Sequence, residues 1–260
     1  MYEDFEEKFF SQGYYIFSHK EKNSLLSLRK DIVSIFTNMA IINGVNEIKT
    51  EDDIIRLYKS ENRDLWVKVY DQLGFLPGIM GMSNDSSVLE IVKKCGIRQP
   101  AVGYNNAGGR GGLPVLAHMP NDDERLYQAH QDIAYLPYSK NSVTMWIPLQ
   151  DVSLELGPLE VIPGSHDKFG LINYDGVDVK HIKLDESFDE NEFVPLPVKA
   201  GEAIVFNNFL VHRSGRNRGD KMRLSFQLRF NDLASPEYLK RKFTLDFLSF
   251  GKETTYSVDA

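Results

Sequence analysis

The sequence predicts a mainly-β protein, a sandwich or barrel-like sheet flanked by helices. Three observations carry this. Helical apolar stripes dominate up to about residue 98 and then stop. Short apolar segments punctuated by proline and glycine follow, with turn signals between several of them at Pro163–Ser165, Lys199–Glu202 and Arg216–Asp220. The second half contains no long helical crossover of the kind a parallel βαβ sheet needs.

Taken in order, residues 2–10 read as a short amphipathic helix, ended by Gly13, and Tyr14–Phe17 as a brief strand. Leu25, Leu28, Ile32, Ile35, Phe36 and Met39 recur mostly at spacings of three and four, which predicts a helix with one buried stripe. Further helices are expected over Asn62–Leu73 and Ser86–Cys95, the latter capped by Ser86 or Ser87. Strands are expected at Gln99–Tyr104, Gln128–Leu136, Val143–Leu149, Leu159–Ile162, His181–Leu184, Phe193–Val198, Glu202–Phe206 and Met222–Phe230. The run Asn105–Gly112 is glycine-rich but lacks the spacing of a phosphate-binding loop, and reads as a connection.

Bulk composition narrows the function. A chain of 260 residues that is 42% hydrophobic buries a sizeable core as one large domain or two small ones. The formal charge of -7 argues against a nucleic-acid groove or an anionic membrane surface as the main partner. A single cysteine, Cys95, excludes an intrachain disulfide and a cysteine-held metal cluster. The acidic start MYEDFEEKFF does not resemble a signal peptide, and no run of about 18 apolar residues predicts a membrane span. A cytoplasmic location is the expectation.

The chemistry lies in YQAHQDIAYLP. On a strand, His130 and Asp132 point to one side while Gln131 points away, so the pair is either half of a metal claw or a structural hydrogen-bonded pair. Two imidazoles and one carboxylate hold iron(II) on one face and leave positions open. Of the six histidines, His212 is the best third ligand, because it follows an apolar strand and precedes a polar, glycine-containing turn. His166 ends a turn, and His118 and His181 have no partner at a suggestive spacing. Arg223 follows His212 by eleven residues. If its strand runs back antiparallel across the sheet, Arg223 enters the same pocket, with Ser225, Gln227 and Arg229 on the same side. A buried arginine suits a carboxylate, so the residues point to iron plus an anionic organic acid.

The ordered set His130-Gln131-Asp132, LGPLEVIPGSH (Leu156–His166) and VHRSGRN (Val211–Asn217), followed by Arg223, resembles the phytanoyl-CoA dioxygenase family. These are non-haem iron enzymes dependent on 2-oxoglutarate. The resemblance implies a double-stranded β-helix, or jelly-roll, as part of a single domain over residues 1–260. Its helix-rich part would cover about 1–97 and its core about 98–235. It implies His130, Asp132 and His212 as the Fe(2+) ligands. Arg223, assisted by Ser214, would bind the distal carboxylate of 2-oxoglutarate, and Tyr127 and Trp146 would line the cosubstrate pocket. Because Asp132 is kept, halogenation is not expected. The expected reaction is hydroxylation of an unactivated C–H bond in a small polar metabolite, with dioxygen consumed and succinate and carbon dioxide released. Desaturation, epimerisation and ring formation begin in the same way. The substrate and oligomeric state are not written in these residues. The rival reading is a catalytically silent jelly-roll that binds a small molecule. A zinc hydrolase fits less well, because no general base or oxyanion arrangement is visible.

Overall fold

The computed structural model describes residues 2–19, 22–42, 44, 48, 50–59, 69–70, 72–103, 115–134, 140–168, 174–175, 183–184 and 188–236. Most of the expected helix Asn62–Leu73 and all of the glycine-rich run 105–112 lie outside these residues.

The strands are β1 (Tyr14–Ser18), β2 (Pro100–Gly103), β3 (Val115–His118), β4 (Ser142–Pro148), β5 (Leu159–Val161), β6 (Tyr174–Asp175), β7 (Lys183–Leu184), β8 (Val194–Leu196), β9 (Glu202–Asn207), β10 (His212–Ser214) and β11 (Arg223–Asp232). A six-stranded sheet has the order β1-β9-β4-β11-β2, with β3 also paired to β11. A smaller sheet has the order β10-β5-β8, and β6 pairs with β7. Every pairing is antiparallel. This is the jelly-roll class of architecture expected from the sequence.

Alternation along the large sheet separates two jobs. Val143, Met145 and Ile147 of β4, Ala203 and Val205 of β9, and Leu224, Phe226, Leu228 and Phe230 of β11 join one apolar cluster with the helical part. On the opposite face, Trp146, Ile204 and Phe206 join Leu159, Val161 and Leu196 of the small sheet. All ten residues of β11 are buried, so the polar residues on its inner face stand in a closed interior.

The helix Lys22–Ile42 covers the outer face through Leu25, Leu28, Ile32, Phe36 and Met39, while Ile35 packs only at the edge. The first helix runs Phe5–Gln12 and stops at Gly13, whose φ of 83° suits glycine and whose N–H reaches Phe9 O at 2.8 Å. Its neighbour β1 pairs along its whole length with β9, so the N-terminal segment is part of the large sheet. The helix Ser86–Lys94 is capped by Asp85, not by either serine: the carboxylate accepts N–H bonds from Ser87 at 2.8 Å and Val88 at 3.2 Å. Glu51–Lys59 is a further helix, which the sequence reading passed over although its first turn carries Glu51, Asp52 and Asp53. No helix among the described residues is long and apolar enough to cross a membrane.

Two expectations need correction. The described part of the expected strand Gln128–Leu136, residues 128–134, is not a strand. His130 makes a single bridge, and Asp132–Ala134 is a 3-10 turn. Nor does β11 run back beside β10. The two belong to different sheets, and the connection between them exposes Arg216, Arg218, Asp220 and Lys221 at the surface.

Candidate metal and cosubstrate site

The site starts from a backbone exchange. His130 N–H reaches His212 O at 2.9 Å and His212 N–H reaches His130 O at 3.0 Å. Residues paired in this way project their side chains to the same side. The two rings accordingly stand 4.2 Å apart between centroids. After His130 the chain turns tightly, and Ile133 N–H is anchored on Asn208 O at 3.0 Å. The turn, and not strand alternation, brings the Asp132 carboxylate under both rings. Asp132 Oδ1 lies 3.5 Å from His130 Nε2 and 3.8 Å from His212 Nε2. One ligand atom from each of the three residues lies within 4.8 Å of the others, and all three residues are buried.

Each imidazole is fixed through its other nitrogen. Nδ1 of His130 lies 2.6 Å from Gln128 O, and Nδ1 of His212 lies 2.9 Å from Leu210 O. A carbonyl only accepts, so both Nδ1 atoms donate and both rings turn their Nε2 edge toward Asp132. His212 Nε2 is buried and has no hydrogen-bond partner among the described residues. Burial, followed by the nearby His130, lowers the His212 pKa to about 3 despite the opposing pull of Asp132, so the ring is neutral at ordinary pH. For Asp132, burial raises the pKa, but Arg229 and the two histidines outweigh it and hold the carboxyl well below the usual range. Two imidazoles, that of His212 neutral, and one charged carboxylate form a donor set suited to a divalent metal.

Asp132 Oδ2 is already engaged. Thr144 Oγ1 donates to it at 2.6 Å and Arg229 Nε at 3.2 Å, while Arg229 Nη2 lies 3.3 Å from Oδ1. Gln227 Oε1 accepts from Arg229 Nη2 at 2.6 Å. Sequence reasoning placed Arg229 and Gln227 on the right face of β11 but gave them no role. Alternation in phase with Arg223 was the available signal.

Arg223 occupies the other end of that face. It is 2% exposed, its Cζ lies 5.8 Å from the Trp146 ring centre, and Nη1 lies 3.5 Å from Gly215 O. Nη2 touches His118 Nδ1, its register partner across β3. His118 thus has a partner that linear spacing could not reveal. Arg223 Nε is buried with no acceptor among the described residues. Burial lowers the guanidinium pKa to about 9, which Tyr70 and Glu160 only partly offset. A buried cation in this condition favours an incoming carboxylate. Its backbone is clamped on both sides. Met222 N–H donates to Glu51 at 3.1 Å, Gln150 Nε2 donates to Met222 O at 2.9 Å, and Leu224 N–H donates to Gln150 Oε1 at 3.1 Å.

Ser214 and Tyr127 lie together beside the histidines. Tyr127 N–H donates to Ser214 Oγ at 3.3 Å and Ser214 N–H to Tyr127 O at 3.0 Å. The Tyr127 side chain is exposed, and its ring centre stands 5.8 Å from that of His130. His166 instead packs away from the triad, its Nε2 3.2 Å from Phe10 O.

Comparison with known proteins supplies the family. The sequence profile described as phytanoyl-CoA dioxygenase matches residues 94–225, half of the chain, and that span includes His130, Asp132, His212 and Arg223. The chain belongs to the phytanoyl-CoA dioxygenase family. Phytanoyl-CoA dioxygenase 1 of Oryza sativa subsp. japonica is 34% identical over 118 residues, covering 44% of this chain and 42% of that protein. The phytanoyl-CoA dioxygenase domain-containing protein 1 homolog of Caenorhabditis elegans is 29% identical over 173 residues, covering 62% of this chain and 57% of that protein. The match therefore spans 42% and 57% of these two curated relatives. Among solved structures, the non-heme monooxygenase ThoJ in its apo form superposes with a TM-score of 0.62 at 16% identity, covering 89% of this chain and 78% of that one. EctD from S. alaskensis with bound Fe gives 0.58 at 16% identity, covering 90% and 78%. At these identities the likeness is one of fold.

Proposed function

We propose that this chain is an Fe(II)- and 2-oxoglutarate-dependent dioxygenase that hydroxylates an unactivated C–H bond of a small polar metabolite. One observation carries the reading. Three buried donors converge within 4.8 Å of one another, in the same closed interior as a buried arginine whose Nε has no acceptor among the described residues. Metal and dicarboxylate are complementary to these two features. Family membership and the fold shared with iron-binding EctD support the reading.

In this reading His130, Asp132 and His212 hold the iron from one side. The bound iron, with 2-oxoglutarate and dioxygen, supplies an oxidation in which one oxygen atom enters succinate and the other enters the substrate as a hydroxyl, with carbon dioxide released. The protein's task is placement. Arg223 receives the distal carboxylate, with Ser214 assisting, and Trp146 closes that end of the pocket. Tyr127 lines the mouth next to His130. The apolar wall of Ile204, Phe206, Val161 and Leu196 keeps water from the interior. We read residues 1–260 as a single catalytic unit, a reading supported by the β1–β9 pairing that joins the helical part to the large sheet.

The test is an anaerobic titration of the apo-protein with Fe(II) and 2-oxoglutarate, followed by visible absorbance. A weak charge-transfer band that disappears on admitting oxygen supports the assignment, and succinate release then ranks candidate substrates. Absence of both metal uptake and the band makes a silent small-molecule-binding jelly-roll the better account.

A further inference from the structure

Asp132 has two oxygens, and the structure treats them unequally. Oδ1 faces both histidine Nε2 atoms. Oδ2 faces away, toward β4 and β11, where Thr144 Oγ1 donates to it at 2.6 Å and Arg229 Nε at 3.2 Å, while the other arm of the same guanidinium, Nη2, reaches the edge of Oδ1 at 3.3 Å. Both donors are themselves held. Thr144 Oγ1 lies 2.8 Å from Asn208 Oδ1 as well as beside Asp132. A hydroxyl has one proton and cannot serve two acceptors. The Asn208 amide therefore takes the turned-over orientation, its nitrogen donating to Thr144, which also supplies the partner that Asn208 Nδ2 otherwise lacks among the described residues. Arg229 is 5% exposed, and Gln227 fixes its Nη2.

We propose that Arg229, together with Thr144, is a positioning residue that reserves Asp132 Oδ2 and so restricts the carboxylate to a single metal-binding oxygen. The inference rests on the ferrous-site reading above. Its chemical consequence is a matter of counting. An octahedral metal offers six positions. Two imidazoles, one carboxylate oxygen and a chelating 2-oxo acid fill five and leave one for dioxygen. A carboxylate free to turn and use both oxygens would fill that last position. A guanidinium fork suits this role better than a lysine, because it fixes the plane of the carboxylate as well as its charge.

The experiment uses the full chain loaded anaerobically with Fe(II) and 2-oxoglutarate, with nitric oxide as a probe of the open position. The readout is the electron paramagnetic resonance signal of the ferrous nitrosyl per bound iron. This ratio does not move with a loss of folded protein alone. The native chain should give a full signal. Arg229→Gln should lose it severalfold at equal bound iron, and Arg229→Lys should recover only part. A native signal per iron in Arg229→Gln overturns the assignment. Should Arg229→Gln take up no iron, Thr144→Val, which keeps the shape and removes the second donor, decides by the same comparison. A native chain that binds no ferrous iron overturns the underlying functional reading too, whereas a variant that matches the native chain overturns this inference alone.

Discussion

His130 and His212 exchange both of their backbone hydrogen bonds, at 2.9 and 3.0 Å, although 82 residues separate them in the chain. The pairing of the two histidines is thus a property of the backbone. Neither imidazole is needed to form it. Replacing His212 with Gln should leave the bridge and the sheet in place while weakening divalent-metal affinity by roughly 3 kcal/mol or more. Calorimetric titration with Fe(II) or Co(II), beside a circular dichroism spectrum, checks this. A variant that keeps its spectrum and binds metal as tightly as the native chain removes His212 from the ligand set.

Arg223 should separate stability from binding. In the apo-protein it is a buried cation whose Nε has no acceptor among the described residues. Replacing such a charge with an apolar side chain of similar length is often neutral or stabilising by about 1–4 kcal/mol. Arg223→Met should therefore unfold no earlier than the native apo-protein. Its affinity for 2-oxoglutarate should fall by on the order of 3 kcal/mol, more than 100-fold, because a carboxylate would enter the interior unpaired. Thermal unfolding and a 2-oxoglutarate titration of the metal-loaded protein measure the two halves. Unchanged cosubstrate affinity would falsify the role.

The sequence revealed the inner face of β11 because alternation is local: Arg223, Ser225, Gln227 and Arg229 could be placed on one side from their numbers alone. It also identified the three-residue donor set, through types and order. The route was different. Asp132 reaches the histidines through a 3-10 turn, a shape that His-x-Asp does not encode. Contacts across strands were hidden for a related reason. His118 meets Arg223 through strand register, and Arg229 meets Asp132 where the 3-10 turn packs against β11, and neither can be read from spacing along one chain. Helix starts were blurred where two capping residue types stood together, as at Asp85 and Ser86.

Gly215 and Gly157 should tolerate no side chain. A Cβ on Gly215 would stand 2.2 Å from Pro158 O, and one on Gly157 would stand 2.5 Å from the Arg216 backbone, at a φ of 72°. Both obstacles are main chain and cannot swing aside. Gly215→Ala should destabilise the protein by about 1–3 kcal/mol. Because Gly215 O lies against Arg223 Nη1, it should also weaken 2-oxoglutarate binding. Gly219→Ala, whose nearest contacts would be 3.4 Å away, is the control and should behave much more like the native chain. If both variants unfold together with the native chain, the close approach of the two loops does not hold in solution.

Acid should destabilise the apo-protein before its carboxylates titrate. His212 has an ordinary value of 6.5 when unfolded and about 3 when folded, lowered first by burial and then by His130. Between these values the unfolded chain takes up a proton that the folded chain refuses. Stability therefore rises with pH across this interval and is lost as pH falls from 6.5 toward 3, by at most about 1.4 kcal/mol per pH unit for one group. Asp132, whose folded value is depressed, loses its contribution only below the ordinary carboxylate range, so it does not mask the effect. Urea midpoints of the metal-free protein at roughly pH 7, 6 and 5 should fall, and His212→Gln should flatten that slope. Equal slopes for the native chain and the His212→Gln variant would mean that the imidazole is solvated in the apo-protein, and the closed site with a neutral His212 would have to be given up.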